Sequence, residues 1–177
     1  DFFMKSGRAF VWPVYYGTFG RKSFVPHNQQ TYMLRGTYQL IDFQIACDYL
    51  ESREDMDMEK LAYYGLSWGG FVAPYVLAIE ERVNAGIVAA FGVLSGGENP
   101  ENDQITYLPR VKIPMLMMNG KYDFDFTLET QQAFYDFLGT PEEDKHWLLY
   151  DHVHGAPRSD LINESLAFLD KYFGPVN

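Results

Sequence analysis

Five residues near the middle of the chain, Gly65-Leu66-Ser67-Trp68-Gly69, restrict its possible folds more than any other stretch. A serine with glycine two residues to either side suits a sharp turn from a strand into a helix. Such a turn pushes the hydroxyl outward, and the glycines let strand and helix approach closely. The flanks agree with this. Lys60-Leu61-Ala62-Tyr63-Tyr64 is an apolar, aromatic run of strand type. Phe71-Val72-Ala73 and Tyr75 to Ile79 read as a buried helix that surfaces at Glu80-Glu81-Arg82. Pro74 should kink that helix or cost it a hydrogen bond.

The rest of the chain repeats the alternation. Asp1 to Gly7 reads as the last turn of a helix with Gly7 as its stop. Ala9 to Tyr15 is a short apolar run of buried-strand type, although Pro13 is awkward in a central strand. Gly17 to Asn28 reads as a loop. Leu34, Tyr38, Ile41, Ile45 and Tyr49 then recur at helical spacing, and the helix ends in the charged stretch Glu51 to Asp57. Asn84 to Phe91 is the next strand, running into Gly92, Gly96 and Gly97. Glu98 to Arg110 is expected as a polar loop containing Pro100 and Pro109. Val111 to Met118 is a strand broken by Asn119-Gly120. A helix over Leu128 to Leu138 stops at Gly139, His146 to Tyr150 is a last strand, and Leu161 to Phe173 is a final amphipathic helix. Strands and helices in turn call for an α/β fold, a mostly parallel sheet with helices on both faces. No repeat or linker divides the chain, so residues 1–177 read as one domain.

Composition removes several functions. A net charge of −10 with no basic run argues against nucleic acid and anionic membranes as partners. There is no stretch long enough to span a bilayer. The N-terminal residues do not form a signal peptide, so a cytoplasmic location is expected. Cys47 is the single cysteine, which excludes an intrachain disulfide and a multi-cysteine metal site, and it is expected to be a packing residue. With no HExxH, GxGxxG or phosphate-cradling loop, no metal and no cofactor is implied.

A serine at such a turn is inert without a base, and the base needs an acid to orient it. Asp123 follows one expected strand and Asp125 competes with it. His154 follows another and His152 competes, with His154 favoured by its place at a loop-to-helix junction. All of them leave the carboxyl ends of strands, where open α/β sheets place their sites. His27 and His146 read as surface or capping residues.

These residues sit in stretches that resemble a known family: Lys5 to Ala9, Pro13 to Thr18, Leu61 to Gly70, Asn119 to Phe126, Leu138 to Glu143 and Leu169 to Val176. The chain resembles the α/β-hydrolase superfamily, in its dienelactone-hydrolase and prolyl-oligopeptidase-like branch. More narrowly, it resembles the hydrolase domains found C-terminal to some bacterial serine/threonine protein kinases. The resemblance implies a triad of Ser67, Asp123 and His154, with the Trp68 N–H as one oxyanion donor. It also implies a small-molecule ester or acyl substrate and a kinase or other domain upstream. Similar sequences place Tyr-Asp-x-x-His before Pro-Arg, which selects His154; Pro157-Arg158 follows here after one extra residue. The family's second oxyanion donor comes from a loop after an earlier strand. Only eight residues precede Ala9, so the chain is expected to lack the first N-terminal strands and to be a C-terminal fragment. Tyr15, Tyr16 or Gly17 is then expected to line the substrate or supply a substitute donor.

Overall fold

The computed structural model describes residues 2–22, 29–94 and 103–176. They form two compact units, one of residues 1–9 with 59–177 and the other of residues 10–58.

The larger unit is built on four parallel strands, β1 (Ala62–Leu66), β2 (Ala85–Ala89), β3 (Met115–Gly120) and β4 (Lys145–Tyr150), side by side in that order. Every residue of β2 and β3 is buried, as a parallel sheet covered on both faces requires. Side chains alternate across the sheet. Ala85, Ile87, Ala89, Leu116 and Met118 pack on one face with Phe168 and Leu169 of α6 (Arg158–Phe173) and with Phe3 of α1 (Phe2–Lys5). On the other face a Cβ at Gly86 would stand 3.1 Å from Leu77 of α3 (Trp68–Ile79), so this glycine sets how closely helix and sheet pack. The expected α/β architecture is therefore present, with α6 and α1 on one side of the sheet and α3 on the other.

Chain ends are tied into this unit. Gly7 has φ +84°, and a Cβ there would meet Val176 at 2.8 Å, while Arg8 pairs with Asp170. Helix α3 runs unbroken through Pro74, which is buried.

Several expectations change. Asn119 and Gly120 lie inside β3 rather than breaking it, because the Asn119 amide is satisfied within the core by the Phe91 carbonyl at 2.6 Å. The strand begins only at Met115, just past Pro114. Of the expected polar loop, residues 98–102 with Pro100 lie outside the described residues, as do Gly96 and Gly97. Its remainder is α4 (Gln104–Tyr107) followed by a turn of 3₁₀-helix. Asp103 caps α4 by accepting from the Ile105 N–H at 3.1 Å, a local bond that a composition-based loop reading overlooks.

In the smaller unit, Ala9 to Tyr15 is not a strand. Phe10, Val11, Trp12 and Val14 are exposed, and Pro13 removes a ladder donor. Helix α2 (Gln29–Glu51) forms as its spacing predicts, but the face chosen by apolarity is the exposed one. Leu34, Tyr38, Ile41, Ile45 and Tyr49 are solvent-accessible, while Gln39, Cys47 and Leu50 are buried. Hydrogen bonds set that rotation. Gln39 donates to the Tyr16 carbonyl at 3.1 Å, and Asp42 accepts from the Tyr16 N–H at 2.6 Å and pairs with Arg21. Cys47 is buried and outside any disulfide, as expected of a packing residue. His27 falls outside the described residues, with Pro26 and Asn28.

Candidate active site

Ser67 ends β1 and opens α3 with φ 51° and ψ −103°, a left-handed conformation that a non-glycine residue adopts at a cost of about 1–3 kcal/mol. Its N–H donates to the Ala89 carbonyl at 2.9 Å, which fixes the turn to the end of β2. The hydroxyl caps nothing on its own helix. Glycine is demanded on one side of the turn. A Cβ at Gly65 would lie 2.6 Å from the Gly69 backbone and 2.7 Å from the Tyr63 ring. At Gly69 a Cβ would meet only the Tyr63 oxygen at 3.8 Å, so the second close approach falls one residue on. At Gly70 it would strike Phe91 at 2.4 Å. Trp68, Gly69 and Gly70 begin the helix, so the N-terminal amides of α3 lack intrahelical partners.

Asp123 leaves β3 in the turn after Gly120. Its carboxylate is buried, with 1% of the side chain exposed, and every oxygen is used. Oδ1 accepts from the N–H groups of Asp125 at 2.9 Å and Phe126 at 3.1 Å. Oδ2 meets His154 Nδ1 at 2.7 Å. A carboxylate out of water is tolerated only when its lone pairs are satisfied in this way. His154 leaves β4 on the loop Asp151 to Gly155, stacks beside Phe126 at 6.3 Å, and stays about one-third exposed.

The loops interlock. Gly155 has φ +76°, and a Cβ there would stand 3.2 Å from Ala90. Ala90 is the residue after the carbonyl that holds Ser67, and it too takes a positive φ of 56°. The His154 loop thus rides over the end of β2 to which Ser67 is bonded. Of the competing residues, His152 does not reach Asp123; its Nδ1 is buried and its carbonyl accepts from the Tyr122 N–H at 3.0 Å. Asp125 is exposed, yet it offers one oxygen within 4.8 Å of a ligand atom on both Asp123 and His154. Those three residues could hold a cation, although Asp123 and His154 already face each other at hydrogen-bond distance.

Tyr15, Tyr16 and Gly17 belong to the smaller unit. The Tyr16 N–H is given to Asp42 and the Gly17 N–H to the Arg21 carbonyl at 3.0 Å, while burial pushes the Tyr15 phenol up to about 12. Sequence reasoning missed Gln131. Its side chain is fully buried and donates to the carbonyls of Gly120 at 2.9 Å and Phe126 at 2.8 Å. Its signal was a polar residue on the apolar stripe of helix α5 (Leu128–Phe137), three residues before Phe134.

Residues 2–96, over half of the chain and including Ser67, match the sequence profile of the prolyl oligopeptidase family. The chain belongs to that family. Solved structures agree on the fold of this prolyl-oligopeptidase relative. It is similar to a cold-adapted esterase from an Arctic intertidal metagenomic library, at 20% identity and a TM-score of 0.65, over 79% of this chain and 56% of the esterase. It is also similar to puromycin hydrolase, at 20% identity and a TM-score of 0.66, over 80% of this chain and 26% of that one. A Klebsiella pneumoniae protein assigned as a dienelactone hydrolase has 16% identity and a TM-score of 0.63, over 83% and 69% of the two chains. Together with the family match, these agree with an α/β-hydrolase-like fold. The chain spans little more than half the length of the esterase. No curated protein matches it in sequence. No described helix is long and apolar enough to cross a membrane.

Proposed function

We propose that this chain carries the catalytic site of a serine hydrolase that cleaves a carboxylic ester through an acyl-enzyme on Ser67. The observation that carries the reading is the 2.7 Å bond from His154 Nδ1 to the buried Asp123, on the loop packed against Ala90, the residue after the carbonyl that holds the Ser67 N–H. With Nδ1 donating to Asp123, His154 keeps its Nε2 lone pair free to accept a proton. Ser67 Oγ attacks the ester carbonyl and its proton passes to Nε2. The oxyanion is met by the Trp68 N–H and by the positive end of α3. Collapse expels the alcohol, which takes the proton from His154. Water then attacks the acyl group, giving its proton to Nε2, and Ser67 leaves with that proton as the free acid departs. The Tyr16 and Gly17 N–H groups already have partners within their own unit, Asp42 and the Arg21 carbonyl, so a substitute oxyanion donor is not drawn from them.

A second reading has one observation in its favour. The profile that residues 2–96 match is that of a peptidase family, so an acylaminoacyl or prolyl-oligopeptidase-like peptide substrate competes with an ester. In either case residues 1–177 act as the catalytic part of a larger cytoplasmic protein, behind a kinase or another domain.

The test is turnover of short-chain nitrophenyl esters beside acyl-peptide amides. Hydrolysis of the esters that disappears in Ser67→Ala supports the ester reading. Preference for the peptide amides supports the second. Hydrolysis of neither by the full-length parent protein would overturn both and leave a hydrolase fold used as a docking module.

A further inference from the structure

Asp123 stands on a seven-residue loop, Gly120 to Phe126, whose two ends are gripped by one side chain. Gln131 Nε2 donates one proton to the Gly120 carbonyl at 2.9 Å and the other to the Phe126 carbonyl at 2.8 Å. The two acceptors are the residues at which the loop leaves β3 and enters the turn before α5. The Phe126 N–H is itself one of the two donors to Asp123 Oδ1. A single primary amide therefore fixes the separation of the loop ends and the position of a group that holds the carboxylate.

The orientation of that amide is determined. Gln131 is fully buried, and its Oε1 has no hydrogen-bond partner among the described residues. Turning the amide over would bring Oε1 against two carbonyl oxygens and lose both bonds, so the arrangement is one-way. A buried acceptor without a partner is a cost to stability that a packed apolar residue at this position would avoid. The backbone that presents the amide is fixed as well. The Val93 N–H donates to the Thr130 carbonyl at 2.9 Å, and a Cβ at Gly92 would stand 2.9 Å from the Gln131 nitrogen.

We infer that Gln131 is a positioning residue for the Asp123–His154 pair, acting on catalysis through the loop it clamps; this rests on the serine-hydrolase reading above. Without the clamp the loop ends separate, the two N–H groups on Oδ1 shift, and the carboxylate no longer holds the imidazole in line with Ser67. Misplacing a reacting group by about 1 Å lowers turnover on the order of a hundredfold, with little effect on substrate binding.

Gln131→Met keeps the shape and deletes both donors, and Gln131→Asn keeps the amide one methylene short. Thr140→Val serves as the control. It deletes the hydrogen bonds of another buried side chain, to the carbonyls of Ile113 at 2.7 Å and Val111 at 3.5 Å, in the turn that leads into β4. Both Gln131 variants are expected to lose kcat by tenfold or more at a KM within twofold of the parent chain. The low-field proton resonance of the His154–Asp123 bond should shift or broaden in them. Thr140→Val should lower the unfolding temperature without changing kcat or that resonance. Should Gln131→Met not fold, Gln131→Asn carries the same comparison. A kcat within twofold and an unmoved resonance in the Gln131 variants would overturn the inference, as would an equal kcat loss in Thr140→Val. If the parent chain hydrolyses nothing, the resonance still reads the clamp, so failure of the catalytic reading is told apart from failure of this one.

Discussion

Strand β4 carries one histidine, His146, near its start, and the loop after it carries another, His154; each has a carboxylate nearby, yet the two are opposites in chemistry. At its start, His146 Nε2 lies 3.0 Å from the Lys171 ammonium and 3.1 Å from the Tyr172 hydroxyl. Tyr172 in turn donates to Asp144 at 2.8 Å. An ammonium only donates, so Nε2 accepts and His146 stays neutral; burial, then the Lys171 charge, holds its pKa below the ordinary value. Past the other end, His154 gives Nδ1 to a buried carboxylate, which leaves the Nε2 lone pair to accept a proton. A histidine near an aspartate is therefore not a site by itself. Position decides, because loops at the carboxyl ends of parallel strands converge, whereas those at the amino ends are closed by neighbouring helices.

The sharpest way to break this contrast is to remove the working groups. Ser67→Ala and His154→Ala are each expected to lower ester turnover on the order of 10⁴- to 10⁶-fold, measured as kcat on a nitrophenyl ester. Asp123→Asn should cost roughly 10⁴-fold by favouring the wrong tautomer. Asp125→Asn should stay within about tenfold, since Asp125 is exposed and Asp123 holds the imidazole. Equal losses at the two aspartates would shift the orienting role onto both.

The strained turn sharpens the comparison next. Gly65→Ala is expected to destabilise by about 1–3 kcal/mol in denaturant unfolding, through the 2.6 Å clash with Gly69. Gly69→Ala, helical and unobstructed, should be neutral or more stable by about 0.5–1 kcal/mol. Smallest is the effect at the opposite end. Unfolded His146 takes up a proton near pH 6.5, whereas the folded one resists until lower pH. Acidification through about 6.5 therefore favours the unfolded chain, and His146→Gln should flatten that fall in unfolding temperature while leaving turnover within twofold.

Much of this was legible in the residues. The Ser67 turn is encoded locally by Gly65, the apolar run before it and the helix after it. Asp123 and His154 stand beside turn residues that close strands, so their common edge follows from element order alone. The misreadings have one cause. Apolar residues show what could be buried, not what is present to bury them, so Ala9 to Tyr15 looked like a strand and the wrong face of α2 looked like core. Gln131 marks itself in the sequence only as a polar residue on the apolar stripe of α5, which does not say what it holds. Its partners are backbone carbonyls five and eleven residues away, and no side-chain pattern records them.

The central claim is that Ser67 is a nucleophile driven by His154. The most direct measurement is the mass of the peptide bearing Ser67 after reaction with a fluorophosphonate. A single phosphonyl adduct on Ser67 in the parent chain, absent in His154→Ala, is what the account expects. An unmodified Ser67, or an adduct formed equally fast without His154, would contradict it.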